Sequence, residues 1–273
     1  MRFSFLSLSL LLFLSCDEEL LTNPLDEESA DYVEPETTIT VTDLDGSTLA
    51  TSTVTIGFEG NDQVIEYSYN LDSSGYSDWS SATSVTLDYL DEGQHTFSVK
   101  SRFASGDEDE TPASISFTVD AVTGPALIFY PRRHIISSGS IATIQIKAYE
   151  VDSLMSATIT LTYDPASLKI VDEVILDENN EIIESVSQGD MFTNTGESVF
   201  IYEEASGSLT IHTMFMGGDT PYVSGTGSLA VILVKALVSG SHTLSLDGAQ
   251  VLKTHTNRSI TITETVNGLV VVE

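Results

Sequence analysis

Apolar and polar residues alternate with period two through most of the chain beyond residue 36. That is the pattern of strands with one face buried and one face wet. The clearest case is ITLTYDPASLKIV, residues 159–171. Ile159, Leu161 and Tyr163 fall on one face, and Thr158, Thr160 and Thr162 on the other. The alternation stops at Tyr163-Asp164-Pro165. Pro165 has no N–H for a ladder and fixes its own φ, so the strand must turn there. Leu168 and Ile170 then resume the pattern as the next strand. Long stretches of 3.6-residue period are missing, and the predicted fold class is all-β.

The strands fall into two sets. In the first, TTITVT (37–42), STVTIGF (52–58), VIEYSYNL (64–71), SVTLDYL (84–90), HTFSVKS (95–101) and SISFTV (114–119) are separated by turn signals such as Asp45-Gly46 and Glu92-Gly93. A spacing of roughly ten residues predicts a β-sandwich. Thr123-Gly124-Pro125 marks a boundary. The second set opens with ALIFYP at 126–131. It continues at 141–151, 155–163, 168–176, 198–203, 208–215, 228–238, 242–246, 260–263 and 269–272. This many short strands imply a jelly-roll-like sandwich. The expected layout is two tandem sandwiches, 37–122 and 125–273.

The N-terminus follows a different pattern. MRFSFLSLSLLLFLSC begins with one Arg, runs apolar from Phe3 to Leu14, and ends at Ser15-Cys16. The run is shorter than the ~20 residues of a membrane span, and has the dimensions of a secretory leader. Phe13-Leu14-Ser15-Cys16 resembles the lipobox of bacterial lipoproteins, with Phe13 in place of the more usual Leu. The resemblance implies cleavage after residue 15 and lipidation of Cys16, the single cysteine of the chain. Several acyl chains, at ~0.8 kcal/mol per buried methylene, anchor a protein firmly. Asp17-Glu18-Glu19 resembles the surface-export signal of Bacteroidetes-type lipoproteins. Residues 16–36 hold nine acids, no base, Pro24 and Pro35, and read as an acidic flexible tether. The expected location is the bacterial cell surface or outer membrane.

Charge narrows the chemistry. With 41 acidic and 10 basic residues the net charge is −31, which argues against nucleic acid, whose phosphates need clustered Lys and Arg. The five His lie at 95, 134, 212, 242 and 255, with no metal-ligand spacing among them. There is no Gly-x-Ser-x-Gly elbow, and the Gly-rich stretch 217–227 lacks a Lys in phosphate-loop spacing. Asp107-Glu108-Asp109-Glu110 offers oxygen ligands for calcium, but such a run at a hairpin tip reads as solvated. Asp43-Leu44-Asp45-Gly46 begins like a calcium loop, lacks the later ligands, and reads as a turn. No cofactor is expected; Ca2+ stays open, with no clear motif to support it. The chain reads as a non-catalytic binding protein.

Two resemblances refine this. Residues 66–72, Trp79-Ser80 and residues 90–99 resemble the immunoglobulin-like modules of bacterial surface and sensor proteins, of the fibronectin type III group. In the second set, Tyr163-Asp164-Pro165-Ala166-Ser167-Leu168 resembles the Tyr-Asp-Pro-x-x-Leu corner of cohesin domains. Gly189-Asp190-Met191-Phe192, Gly207-Ser208-Leu209, the stretch Gly225-Thr226-Gly227-Ser228-Leu229, the 239–246 hairpin and Asn267-Gly268-Leu269-Val270-Val271 follow in the family's order.

Cohesins are binding modules that hold the dockerin domains of polysaccharide-degrading enzymes. The resemblance implies protein–protein attachment, with a secreted, dockerin-like partner. In dockerin-binding cohesins the strand before Tyr-Asp-Pro carries Asn and Asp; here the matching positions are Ser156 and Thr158. An acid near the end of the later Gly-x-Leu strand is replaced near Met216, so the usual polar contacts are not reproduced. If Leu209, Ile211 and Phe215 point inward, Thr210, His212, Met214 and Met216 point outward. With Thr158, Thr160 and Thr162 they form the candidate binding face. Exposed Met on a flat sheet can mark a protein-binding patch, unless a loop covers Met214 and Met216 or the register turns them inside. The alternative is carbohydrate binding, with Phe200, Tyr202 and Trp79 as stacking aromatics, although each also fits core packing.

Overall fold

The computed structural model describes Leu25, Glu28, Ser29 and residues 31–171, 175–176, 178–179, 182–193, 197–216 and 222–273. The expected leader, Cys16 and most of the expected tether lie outside the described residues. Among the described residues two large hydrophobic cores follow one another along the chain, and a third, small cluster gathers Val122, Ala126, Ile128 and Val266.

The first is built from seven strands: β1 (Thr37–Ile39), β2 (Thr48–Leu49), β3 (Val54–Gly60), β4 (Val64–Leu71), β5 (Ser84–Leu87), β6 (Gly93–Phe103) and β7 (Ala113–Val119). They form a three-stranded sheet, β1-β3-β5, facing a four-stranded one, β2-β7-β6-β4. Strand β6 shows why. His95, Phe97, Val99, Ser101 and Phe103 are buried, while Thr96, Ser98, Lys100 and Arg102 are not. Phe97 stacks between Phe58 and Tyr69, with ring centroids 6.5 and 5.8 Å away. Strand β2, missing from the sequence-based prediction, is only two residues long and pairs in parallel with β7. Ahead of β1, Asn61 ties down the chain, donating to the Glu34 carbonyl at 2.7 Å and accepting from the Glu36 N–H at 3.2 Å.

The acidic run at 107–110 is not simply solvated, as the sequence implied. Asp109 is buried and accepts from the Thr37 hydroxyl at 2.6 Å and from the Thr111 N–H at 2.8 Å. Glu108 pairs with Lys100 at 2.5 Å. These carboxylates diverge toward separate partners, and among the described residues no cluster of three or more metal-binding side chains occurs. At 43–46 the chain makes the expected turn, with Leu44 in the core and Asp45 accepting from the Ser116 N–H at 2.9 Å.

The second core draws on β8 (Ala126–Tyr130), β9 (Arg133–Ile136), β10 (Ile141–Thr162), β11 (Leu168–Ile170), β12 (Ile175–Leu176), β13 (Ile182–Ile183), β14 (Val186–Gln188), β15 (Glu197–Ala205), β16 (Ser208–Met216), β17 (Val223–Ala236), β18 (Gly240–Leu244), β19 (Val251–Thr254), β20 (Ser259–Ile260), β21 (Glu264–Val266) and β22 (Gly268–Val272). The sequence predicts two strands at 141–151 and 155–163, but one 22-residue strand runs through both. Register shifts between Ala148 and Leu154, with positive φ at Glu150 (50°) and Ser153 (56°), bend it. Its first half pairs with β8 and β17, and its second half with β16 and β19. A single strand thus serves both layers of the sandwich. Between them lie Ile144, Ile146, Ile159, Leu161, Leu209, Ile211 and Phe215, each contributing roughly 1.5–3 kcal/mol by burial.

The Tyr-Asp-Pro corner has a specific construction. The Asp164 carboxylate accepts from the Ala166 N–H at 3.0 Å and the Ser167 hydroxyl at 2.7 Å. These bonds hold its carboxyl below the usual range, the Ser167 bond contributing most. Gly207 (φ 77°) packs against the turn, where a Cβ would stand 2.9 Å from the Tyr163 carbonyl oxygen. The Tyr163 N–H donates to the Gly207 carbonyl at 3.0 Å, which fixes this close approach. The spacing of Gly189 has an equally physical cause, since a Cβ there would come within 2.2 Å of the Ser228 carbonyl oxygen.

Candidate functional site

Strands β19, the second half of β10, β16 and β15 lie side by side and present one outward face. The register decides what it carries. Val251 lies opposite Thr158, Thr158 opposite His212, and His212 opposite Ile201. One step along, Lys253, Ser156, Met214 and Val199 form the neighbouring row. Leu209, Ile211, Thr213 and Phe215 point inward, so Thr210, His212, Met214 and Met216 point outward, on the face that carries Thr158, Thr160 and Thr162.

Hydroxyls lace the middle of this face. Thr158 Oγ1 lies 3.0 Å from His212 Nδ1, and Thr160 Oγ1 lies 3.1 Å from Thr210 Oγ1. These cross-strand pairs order the side chains without adding charge. One end is closed. Gly248 packs against Thr160 so tightly that a Cβ would lie 2.4 Å from that residue's own Cβ. The Gln250 amide brackets the Thr160 backbone, accepting its N–H at 3.2 Å and donating to its carbonyl at 2.7 Å. Thr162 pairs with Ser245. The open end is apolar: Met214 is 42% exposed, Met216 50%, Ile201 55% and Val251 39%. Glu197, opposite Met216, edges it along β15, whereas Glu203, opposite Thr210, edges the covered end.

Val251 was not singled out from sequence, and Val199 and Ile201 entered only as the pair that alternates with Phe200 and Tyr202. For β15 the alternation left two phases open. Phe200 lies opposite Thr213 and Tyr202 opposite Ile211, which turns both aromatics to the inner side and Ile201 outward. Phe200 packs on the core, and Tyr202 is half exposed 6.5 Å from it at the sheet edge. Neither is on the outward face, so the aromatic row required for sugar stacking does not form there. Strand β19 was missed because its signal is four residues long with a single buried position, Leu252.

Trp79, expected in the core or as a stacking platform, is neither. It is half-buried on the outside of the first sandwich, with the Arg102 guanidinium 4.5 Å and the Lys100 ammonium 5.3 Å from its ring. Arg102 is itself held by Glu66, its Nε at 2.8 Å and Nη2 at 2.5 Å from one carboxylate oxygen. The ring face is therefore occupied by the protein's own cations.

Beyond the face, Tyr163 donates to Glu204 at 3.3 Å; burial first, then that carboxylate, raises its phenol above the ordinary range. No helix among the described residues is long and apolar enough to cross a membrane.

Comparison with known proteins places this architecture. No match was found among curated proteins. Among solved structures, the chain is similar to a non-cellulosomal cohesin from the archaeon Archaeoglobus fulgidus (22% identity, 54% of this chain and 90% of that one, TM-score 0.42). It is similar also to a type II cohesin domain from the cellulosome of Acetivibrio cellulolyticus (16% identity, 53% and 94%, TM-score 0.42). A third is the cohesin of a type I cohesin–dockerin complex from Clostridium thermocellum (14% identity, 54% and 98%, TM-score 0.44). The family model for the cohesin domain matches residues 134–272, just over half of the chain and the whole span that carries the outward face. The chain belongs to the cohesin family, whose domains are non-catalytic protein-binding modules.

Proposed function

We propose that this protein is a lipid-anchored, extracellular, non-catalytic attachment protein. Its cohesin domain holds a secreted partner through the face formed by β19, β10, β16 and β15. The observation that carries this reading is the face itself. It is hydroxyl-laced and apolar at its open end, where Ile201, Met214, Met216 and Val251 are exposed. Shape and apolar contact, rather than a catalytic pocket, are what such a surface offers a partner. A dockerin-like domain is the partner class the family membership favours, recognised here without the Asn, Asp and acidic contacts that Ser156, Thr158 and Met216 replace. The first sandwich, with its three-plus-four strand arrangement, serves as an immunoglobulin-like spacer. Lipidated Cys16 and the acidic tether hold the assembly at the cell surface. Carbohydrate binding is less well supported, because Phe200 turns inward and Trp79 is covered by Arg102.

The test uses the chain from residue 16 with Cys16→Ser, as bait for secreted proteins of the source organism and for a dockerin panel. A specific partner should lose about 30-fold or more in affinity with Met214→Asp, the scale of one hot-spot residue. It should be retained by Val238→Asp, a change at an exposed position in the turn before β18. Equal affinity in both variants would place the binding site elsewhere. For the anchor, Cys16→Ser should move the full-length protein from the membrane to the soluble fraction; an unchanged membrane fraction would refute lipidation.

A further inference from the structure

Strand β15 has a property that binding by the sheet face does not use. It runs nine residues in unbroken register with β16, from Glu197 opposite Met216 to Ala205 opposite Ser208. Among the described residues it pairs with no other strand. Alternate residues of β15 therefore direct their N–H and C=O groups away from the sheet. Such an edge is usually blunted by charged side chains, Lys above all, or by Pro, a bulge or short length; β15 carries Glu197, Glu203 and Glu204 at its two ends and no charge in its centre. Here the sequence is ESVFIYEEA: no Lys, no Pro, no Gly, no register shift, and a central Val-Phe-Ile-Tyr of high strand propensity. Ile201 and Tyr202 are exposed, at 55% and 44%.

We propose that β15 pairs with β15 of a second copy of this chain, antiparallel about a two-fold axis at Ile201. The strand's own sequence selects that occupant and that register. Residues opposite each other in a sheet must share a face, so the axis must pass through a residue rather than between two. With the axis at Ile201, Ile201 meets its own copy, Phe200 meets Tyr202, Val199 meets Glu203, Ser198 meets Glu204 and Glu197 meets Ala205. No two carboxylates stand opposite, and the aromatic pair meets across the interface on the inner side. Moving the axis to Phe200 sets Glu197 against Glu203, a like-charge pair that disfavours that register. Moving it to Tyr202 leaves Glu197 and Ser198 unpaired.

The resulting dimer joins two outward faces into one continuous sheet, giving two adjacent binding surfaces. The proposal stands whether or not those faces bind a partner. The opposing force is charge. From residue 16 each copy keeps 41 acidic residues and, without Arg2, 9 basic ones, a net −32, so long-range repulsion weakens pairing at low ionic strength and is screened as salt rises.

The experiment uses the chain from residue 16 with Cys16→Ser, which removes the single native thiol. Ile201→Cys is compared with Val238→Cys, at another exposed position (51%) in the same sandwich. Cross-strand Cα separations of about 4.5–5.5 Å lie within disulfide reach. Mild oxidation should give a covalent dimer in Ile201→Cys and none in Val238→Cys. Sedimentation velocity should show a dimer whose share grows with salt, lost in Ile201→Lys with the thermal unfolding transition preserved. A monomer at both low and high salt, with equal cross-linking at the two positions, overturns the proposal. So does a dimer that Ile201→Lys leaves intact, because that dimer would use another surface.

Discussion

One outer sheet face of the first sandwich and one of the second contrast in how their side chains are partnered. On the first, the groups with binding potential are spent on one another: Arg102 on Glu66 and Trp79, Lys100 on Glu108, Tyr76 and Trp79. On the second, hydroxyls pair across strands while Ile201, Met214, Met216 and Val251 meet solvent. Residue types therefore mislead. The aromatic and charged patch is internally satisfied, and the plain Thr/Met/Ile patch is the one with unmet apolar surface. A ring already covered by a guanidinium offers a ligand no face, whereas an exposed aliphatic side chain gains when a partner removes it from water.

The sharpest way to break this contrast is to compare neighbours on β16. Phe215 is 2% exposed and packs 4.7 Å from Phe192. Phe215→Ala should cost about 3–5 kcal/mol in urea unfolding. Met214→Ala, one residue away on the opposite face, should stay within about 0.5 kcal/mol and act on partner affinity alone. A large stability loss at Met214 would mean that the face is packed rather than free. Next in size is Gly207→Val, which forces a β-branched residue to φ 77° against the Tyr163 carbonyl. A loss of about 1–3 kcal/mol is expected, read as a lowered unfolding midpoint.

On the first sandwich, Arg102→Ala removes the Glu66 pair and uncovers Trp79. For this partly exposed group the cost should be only about 1 kcal/mol or less. Trp79 is the single tryptophan of the chain, so a red shift of its emission reports the uncovering directly. Unchanged emission would contradict the cation–π arrangement.

The smallest effects separate the sandwiches by pH. Burial would lower His95, but both ring nitrogens face acceptors, the Asp91 carbonyl at 2.8 Å and the Asp72 carboxylate at 2.7 Å. Only the imidazolium can donate to both, and the net shift is upward from 6.5. Its stabilisation is full below 6.5 and lost as pH rises through the higher folded value. Asp164 shifts downward from 3.8, so its contribution is present above that value and lost as pH falls through the lower folded one. NMR titration should find His95 above 6.5 and returned toward it by Asp72→Asn; no response to that variant would remove the carboxylate as a cause.

Much of the cohesin domain is legible in the amino-acid pattern. The Tyr-Asp-Pro corner announces a strand end because proline cannot extend a ladder. The alternation of 155–163 and 208–215 sets their inward and outward residues, since period two leaves only two phases and the Leu/Ile set selects one. The same logic fails at β15. Val199, Phe200, Ile201 and Tyr202 are all apolar, so period two gives no preferred phase, and only pairing with β16 turns Ile201 outward. It fails again at Trp79, whose ring is held by cations 21 and 23 positions along the chain.

What the sequence by itself determined is the class and the punctuation: an all-β chain, two sets of strands, an acidic surface, and corners where proline and glycine permit no alternative. These follow from local sterics and from the period of the backbone, which act within a few residues. Tertiary structure alone decided that 141–162 is one bent strand serving two layers, that β19 completes the outward face, and that Thr160 is covered while Met214 is open. Those outcomes depend on which distant segment lies alongside, and no local pattern carries that information.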